Sequence, residues 1–132
     1  MADIDVRETR PFPPPQVQIL IVDDEPNMRD IVRRTLVHNG LATLEAASGA
    51  EAIEILRARG DGIAAVVTDH RMPNGGAPEI VAWCRDHAPG VAIVCITGSA
   101  DAIGLGVPVL KKPFEARALL SALRAMNVPV RA

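Results

Sequence analysis

The sequence is poor in aromatic residues: its 132 residues include two Phe, one Trp and no Tyr. It also has no apolar run close to the roughly 18 residues that a membrane helix needs. The N-terminus carries Asp3 and Asp5 where a secretory signal would carry basic residues. These absences argue against a membrane span and a signal peptide, so we expect a soluble, cytoplasmic protein with an aliphatic core.

Cysteine and positive charge are also scarce. Cys84 and Cys95 lie in apolar surroundings without metal or redox spacing, and we interpret both as buried thiols in a reducing compartment. The formal net charge of −2 leaves no excess of Lys and Arg for a nucleic-acid backbone. Direct nucleic-acid binding is therefore not expected. The hydrophobic share of 48% fits one globular domain.

A proline-rich segment precedes the first apolar run. Residues 1–16 are polar and then end in a run from Pro11 to Pro15 that contains Phe12. Such a run favours an extended, polyproline-like conformation. We interpret residues 1–16 as a flexible tail, with a docking peptide as the open alternative. The domain itself is predicted over residues 17–127, with a short C-terminal tail over 128–132.

Short apolar runs alternate with amphipathic stretches throughout the predicted domain. Strands are predicted at 19–22, 41–46, 63–68, 91–96 and 107–110. Helices are predicted from about 26 to a stop at Gly40, from 48–51 to about 59, from 78 to about 87, and over 115–126. The apolar positions of the first helix keep helical spacing: Met28, Ile31, Val32, Thr35 and Leu36. This alternation is typical of an α/β fold with a parallel sheet.

The connection between the fourth and fifth predicted strands is short. Residues 98–106 include Gly98, Gly104 and Gly106, whereas a crossover with a full helix needs about ten to twelve residues. The fourth helix is therefore predicted to be shortened or replaced by a loop.

Polar residues stand where the predicted strands end. They are Asp23, Asp24, Asp69, Thr97, Lys111 and Lys112. In open parallel sheets, ligands bind at the carboxyl ends of the strands. Three carboxylates without a His or Cys partner suit Mg²⁺, which prefers oxygen ligands. A carboxylate can be the nucleophile in phosphoryl transfer, with Lys as a cation and Thr as a hydrogen-bond donor for the phosphoryl oxygens.

Four motifs in this order resemble the receiver domain of response regulators in two-component signalling. They are Val22-Asp23-Asp24-Glu25, Thr68-Asp69-His70-Arg71-Met72-Pro73, Ile96-Thr97-Gly98 and Lys112-Pro113-Phe114. The resemblance covers about residues 17–127. It implies a flavodoxin-like, doubly wound five-stranded parallel sheet in the order 2-1-3-4-5, with helices on both faces.

The resemblance also implies a metal site. By it, Asp69 is the phosphoacceptor, Asp24 is a direct Mg²⁺ ligand, and Asp23 contributes, usually through water. The main-chain carbonyl of Arg71 would complete the protein ligands.

The phosphoryl contacts and the partners follow from the same resemblance. Thr97 would hydrogen-bond the phosphoryl group and Lys112 would pair with it, and the Lys112-Pro113 bond is cis in the family. The donor would be a sensor histidine kinase or a histidine phosphotransfer protein. The domain would signal through an unknown downstream protein rather than turn over a substrate as an enzyme. Whether it forms a homodimer is open.

Other interpretations of the motifs remain. Asp23 and Asp24 also suit a solvated loop or a helix N-cap, and Lys111 competes with Lys112 for one role. A haloacid-dehalogenase-like, Mg²⁺-dependent phosphatase also uses a strand-end Asp, but its second Asp position holds Arg71. A pseudo-receiver, an interaction module without phosphorylation, is the other alternative. No ligand role is predicted for the three histidines, His38, His70 and His87. Trp83 is expected to pack rather than to bind a ligand.

Two departures from the family concern the output. Val109 stands where the family commonly has Tyr or Phe, and Gly75-Gly76 precede Ala77 where the family tends to have Gly. We hypothesise that the loop 98–106 orders or shifts on phosphorylation. Only residues 127–132 follow Met126, so we expect output through a partner protein, or a role as a phosphoryl relay or sink.

Overall fold

The computed structural model describes residues 18–59, 62–98 and 104–130. The strands in this part of the chain are β1 (Gln18–Val22), β2 (Ala42–Ala46), β3 (Ile63–Asp69), β4 (Ala92–Thr97) and β5 (Val109–Lys111). The helices there are α1 (Pro26–His38), α2 (Gly49–Arg59), α3 (Ala77–His87) and α4 (Ala116–Ala125). The predicted tail over residues 1–16 lies outside the described residues.

The five strands form one parallel sheet in the order β2-β1-β3-β4-β5. The predicted flavodoxin-like topology is therefore confirmed. Because each strand passes to a parallel neighbour, the carboxyl ends of all five strands lie at one edge of the sheet. This is the edge at which ligands bind in folds of this kind.

Alternate residues of the central strands point to opposite faces of the sheet and build two cores. Ile19 and Ile21 pack with α1 and α4, and Leu20 and Val22 pack with α2 and α3. The buried residues are aliphatic apart from small Ala and Cys side chains and four polar groups. The expectation of an aliphatic core is confirmed, and Trp83 packs against the second core as predicted.

Helix α1 begins where it was predicted and buries only part of its apolar face. It begins at Pro26, and the chain turns after it at Gly40, whose φ is +86°. Val32 and Leu36 are buried, but Ile31 is 52% exposed, so only part of the apolar face at helical spacing is covered. Residues 32 and 36 stand on one stripe at i,i+4 spacing, and position 31 lies about 100° around the helix from Val32. The sheet covers only that stripe.

The segment before β5 contains no helix in residues 104–108. Gly104 and Gly106 both have positive φ, +90° and +77°, which favours glycine over other residues. Residues 99–103 of the predicted loop lie outside the described residues. The hypothesis that the loop orders or shifts on phosphorylation therefore stays a prediction. Strand β5 begins two residues later than predicted, because Val109 is the first residue in register with β4, opposite Cys95.

The C-terminal boundary of the domain stays a prediction. Val128, the first residue of the predicted tail, is buried and its N–H donates to the carbonyl of Leu123. Within the described parts of the chain, no helix is long and apolar enough to cross a membrane.

Candidate functional site

Three aspartates meet at the carboxyl edge of the central strands. Asp23 and Asp24 follow β1, and Asp69 is the last residue of the adjacent β3. One carboxylate oxygen from each lies within 4.8 Å of the others. Asp23 is only 4% exposed, Asp69 is partly buried and Asp24 is exposed. The three predicted metal ligands of the carboxylate type are thus brought together by the order of β1 and β3 in the sheet.

Lys112 reaches this cluster from the end of β5. Its Nζ lies 3.4 Å from Asp69 Oδ1 and 3.6 Å from Asp23 Oδ2. Its main-chain N–H donates to the carbonyl of Thr97, which anchors it beside β4. Lys111 is exposed, as its interpretation as a surface charge requires. The Lys112-Pro113 peptide bond is cis.

The electrostatics of the cluster are unbalanced toward negative charge. Burial raises the pKa of Asp23, and the nearby Asp69 and Asp24 carboxylates raise it further. The N–H of Glu25, which donates to Asp23 Oδ1 at 2.9 Å, and the Lys112 ammonium both oppose that rise in pKa. Three carboxylates and one ammonium leave a formal charge of −2 when all are ionised. A divalent cation would neutralise that charge.

The carboxylate of Asp69 is oriented from its own backbone. The N–H of His70 donates to Asp69 Oδ1 at 2.8 Å. The ring of His70 is buried, and among the described residues its Nδ1 has no hydrogen-bond partner. Thr97 is buried at the end of β4, the strand next to β3. The contact of Thr97 with a phosphoryl group and the metal contact of the Arg71 carbonyl stay predictions.

The loop between β3 and α3 is tied down by main-chain bonds. The N–H groups of Gly49 and Ala50 donate to the carbonyls of Gly75 and Asn74, so the start of α2 holds this loop. A Cβ on Gly76 would lie 2.2 Å from the carbonyl oxygen of His70. The loop therefore requires glycine at position 76. The next residue, Ala77, is buried and stands where the family tends to have Gly.

Arg29 is a contact of the site that the sequence motifs did not indicate. Its Nη1 donates to the main-chain carbonyl of Asp23 at 2.7 Å, and its Nε donates to Glu45 Oε1 at 3.0 Å. The signal in the sequence was weak, because an Arg on an amphipathic helix is usually a solvated charge.

The aromatic side chains at the end of α3 lie away from the acidic cluster. Trp83 and His87 stack on α3 with ring centroids 4.7 Å apart. Arg57 lies over the Trp83 ring at 5.8 Å from its centroid. This group stands near the opposite ends of the strands, beside Ile63 and Val91. Cys84 and Cys95 are both buried free thiols, as predicted.

Residues 19–124 match the family model of the response regulator receiver domain. The chain belongs to the receiver-domain family. This match spans all five strands and all four helices of the described residues apart from the ends of β1 and α4. The receiver domain is a signalling module, and the carboxylate group Asp23, Asp24 and Asp69 could hold a metal ion.

Similar proteins include bacterial sensor kinases and response regulators. The sensor kinase CckA of Brucella abortus is 32% identical over 115 residues, which are 82% of this chain and 12% of CckA. The response regulator MprA of Mycolicibacterium vanbaalenii is 32% identical over 117 residues, 83% of this chain and 50% of MprA. A receiver domain from Clostridium thermocellum has a TM-score of 0.77 at 27% identity, covering 83% of this chain and 93% of that one. This receiver domain thus spans half or less of these two curated relatives.

Proposed function

We propose that this receiver domain accepts a phosphoryl group on Asp69 from a histidine kinase or a histidine phosphotransfer protein of a two-component phosphorelay. It then signals through contact with another protein. One observation carries the proposal: the carboxylates of Asp23, Asp24 and Asp69 meet within 4.8 Å and the Lys112 ammonium lies 3.4 Å from Asp69. A structural loop or an N-cap does not need this convergence from three strand ends.

The donor set suits Mg²⁺. It consists of carboxylate oxygens without imidazole or thiolate, and together with the Lys112 ammonium it carries a formal charge of −2, which a divalent ion would neutralise. Asp23, Asp24, Asp69 and the main-chain carbonyl of Arg71 would hold the ion. When bound, it supplies positive charge to the phosphoryl oxygens.

The protein groups each have a defined part in the transfer. A carboxylate oxygen of Asp69 attacks phosphorus, the bond from phosphorus to the donor histidine nitrogen breaks, and its electron pair stays on that nitrogen. The His70 N–H holds Asp69 Oδ1 in place during the attack. Lys112 stabilises the negative charge of the transferred group, and Thr97 donates a hydrogen bond to it. Positioning and charge neutralisation are the main contributions to such a transfer.

The competing functions make different demands on these residues. A haloacid-dehalogenase-like phosphatase needs a carboxylic acid two residues after the nucleophile, and Arg71 occupies that position. A pseudo-receiver needs no acceptor, so the clustering of Asp69 and Asp24 with the buried Asp23 would bring only a cost in stability. The domain would assist its own phosphorylation and dephosphorylation without acting as a separate enzyme. We place it in the cytoplasm with its kinase.

The test is intact-mass spectrometry of the protein after incubation with acetyl phosphate and Mg²⁺. We expect one base-labile phosphoryl adduct on the wild type and none on Asp69→Ala. Asp86→Ala is the matched control, because Asp86 is an exposed aspartate on α3, away from the cluster. No adduct on the wild type, either from acetyl phosphate or from a phosphorylated histidine phosphotransfer protein, would favour the pseudo-receiver. An equal adduct on Asp69→Ala would move the acceptor elsewhere.

A further inference from the structure

The peptide bond between Asp23 and Asp24 carries two of the three clustered carboxylates. Its carbonyl oxygen, which belongs to Asp23, accepts a hydrogen bond of 2.7 Å from Arg29 Nη1. This carbonyl group and the N–H of Asp24 belong to the same planar peptide group. A donor that holds the oxygen therefore sets the direction in which the backbone of Asp24 leaves β1.

Arg29 is itself held by the neighbouring strand. Its Nε donates to Glu45 Oε1 at 3.0 Å, and its side chain is only 19% exposed. Glu45 lies on β2 directly opposite Ile21 of β1, so its backbone is held in register with the strand that ends in the acidic pair. A guanidinium presents several donors in one rigid plane, which allows Arg29 to hold both acceptors at once.

Other arginines of α1 lack this arrangement. Arg34 is 74% exposed and pairs with Asp30 one turn away on the same helix. Arg33 also pairs with Asp30 and reaches Glu45 only at 4.0 Å. Pairs of this kind on a helix surface contribute little to stability. Arg29 thus differs from its neighbours in reaching the backbone of the site.

We propose that Arg29 is a positioning residue of the metal site, and that Glu45 orients Arg29 for this role. The pair sets the Asp23-Asp24 peptide so that the carboxylates can bind one cation without rearrangement. This inference rests on the proposed function in assuming that the acidic cluster binds Mg²⁺. Residues that hydrogen-bond to metal ligands, without contacting the metal themselves, commonly contribute tenfold or more to metal affinity.

The first test measures Mg²⁺ binding to the full chain by isothermal titration calorimetry. We expect Arg29→Gln to bind Mg²⁺ about tenfold more weakly than the wild type, and Arg34→Gln to keep the wild-type affinity. Arg29→Lys keeps the charge but loses the planar fork, so it should be nearly as weak as Arg29→Gln. Wild-type affinity in Arg29→Gln would overturn the inference, and wild-type affinity in Arg29→Lys would reduce the role of Arg29 to its charge and also overturn it.

The second test examines Glu45. We expect Glu45→Gln to weaken Mg²⁺ binding less than Arg29→Gln does, because the Arg29 bond to the Asp23 carbonyl remains. The double variant should be no weaker than Arg29→Gln alone, since Glu45 acts through Arg29. Fully additive losses would show that Glu45 acts independently and would contradict the pairing.

The third test separates positioning from a general effect on the fold. With acetyl phosphate as donor, the Mg²⁺ concentration for half-maximal phosphorylation of Arg29→Gln should rise by the same factor as its dissociation constant. Its rate at saturating Mg²⁺ should equal the wild-type rate. A loss of rate that saturating Mg²⁺ does not restore would contradict positioning. If the wild type itself binds no Mg²⁺, the proposed function fails. If the wild type binds Mg²⁺ and the Arg29 variants bind it equally well, the inference alone fails.

Discussion

The centre and the edge of the sheet differ in how firmly they are built. The last four residues of β1 are almost fully buried, and β1 is paired on both sides, by β2 and β3. Strand β5 has three residues, one neighbour and partly exposed side chains, with Val109 exposed by 38%. The acidic cluster lies at the ends of the buried central strands β1 and β3, and Lys112 reaches it from the exposed edge strand β5.

Under the proposed function, this difference separates the part of the domain that receives a phosphoryl group from the part that passes on the signal. The carboxylates must keep a fixed spacing, and strands buried on both faces provide that. The edge strand carries Val109 at the position where the family commonly has an aromatic switch residue. With the non-helical segment 104–108 before it, we expect this edge to change without disturbing β3. The prediction for each region is therefore different.

The largest effect is expected for a truncation in the central strand. Leu20→Ala should lower the free energy of unfolding by about 2–5 kcal/mol, because it leaves a cavity between β1 and the α2–α3 face. Val109→Ala should lower it by less than about 1 kcal/mol, because the side chain is already partly exposed. Urea unfolding followed by circular dichroism measures both. Equal losses would remove the distinction between centre and edge.

A smaller loss is expected from a substitution in the loop that follows β3. Gly76→Ala should lower the free energy of unfolding by about 1–3 kcal/mol, because its Cβ would overlap the His70 carbonyl oxygen. Gly90→Ala is the matched control, since a Cβ there meets no atom within 4 Å. The same urea measurement applies, and a stability of Gly76→Ala equal to that of Gly90→Ala would contradict the close approach.

A gain in the free energy of unfolding is expected from Asp23→Asn in metal-free buffer at pH 7. Burial raises the pKa of Asp23 above its ordinary value, so the folded state binds the proton more tightly than the unfolded state does. The stability that this proton contributes is full at low pH and is lost as the pH rises through the folded pKa. Unfolding in EDTA across pH 3–8 should show this loss in the wild type and not in Asp23→Asn. Asp23→Asn that is less stable than the wild type at pH 7 would contradict the sign.

The smallest effect concerns the two thiols. Burial raises the pKa of Cys95 to about 11 and also raises the pKa of Cys84. Neither should react with iodoacetamide in the native protein at pH 8, because the thiolate is the reactive form. At low urea concentration Cys95 should react first, since it lies opposite Val109 of the edge strand. Mass spectrometry of tryptic peptides measures both, and earlier labelling of Cys84 would contradict a weak edge.

Much of the site was predictable because its residues follow strand ends. Asp23, Asp24 and Asp69 each come directly after or at the end of an apolar run, and strand order then brings them together. Lys112 was separable from Lys111 only by the resemblance, and the structure shows it beside Asp69. Ile31 and Arg29 were not predictable in the same way. Helical periodicity defines a broad apolar face, and only the neighbouring sheet decides which part of that face is covered.

By itself, the sequence determined the α/β class, the helix and strand order, and the chemical character of the strand ends. The reason is local: apolar runs, turn glycines and carboxylates act through residues close in the chain. The tertiary structure decided the distances within the acidic cluster, the need for glycine at position 76, and the contact of Arg29 with the Asp23 carbonyl. These depend on how β1, β2 and β3 align, and that alignment joins residues far apart in the sequence.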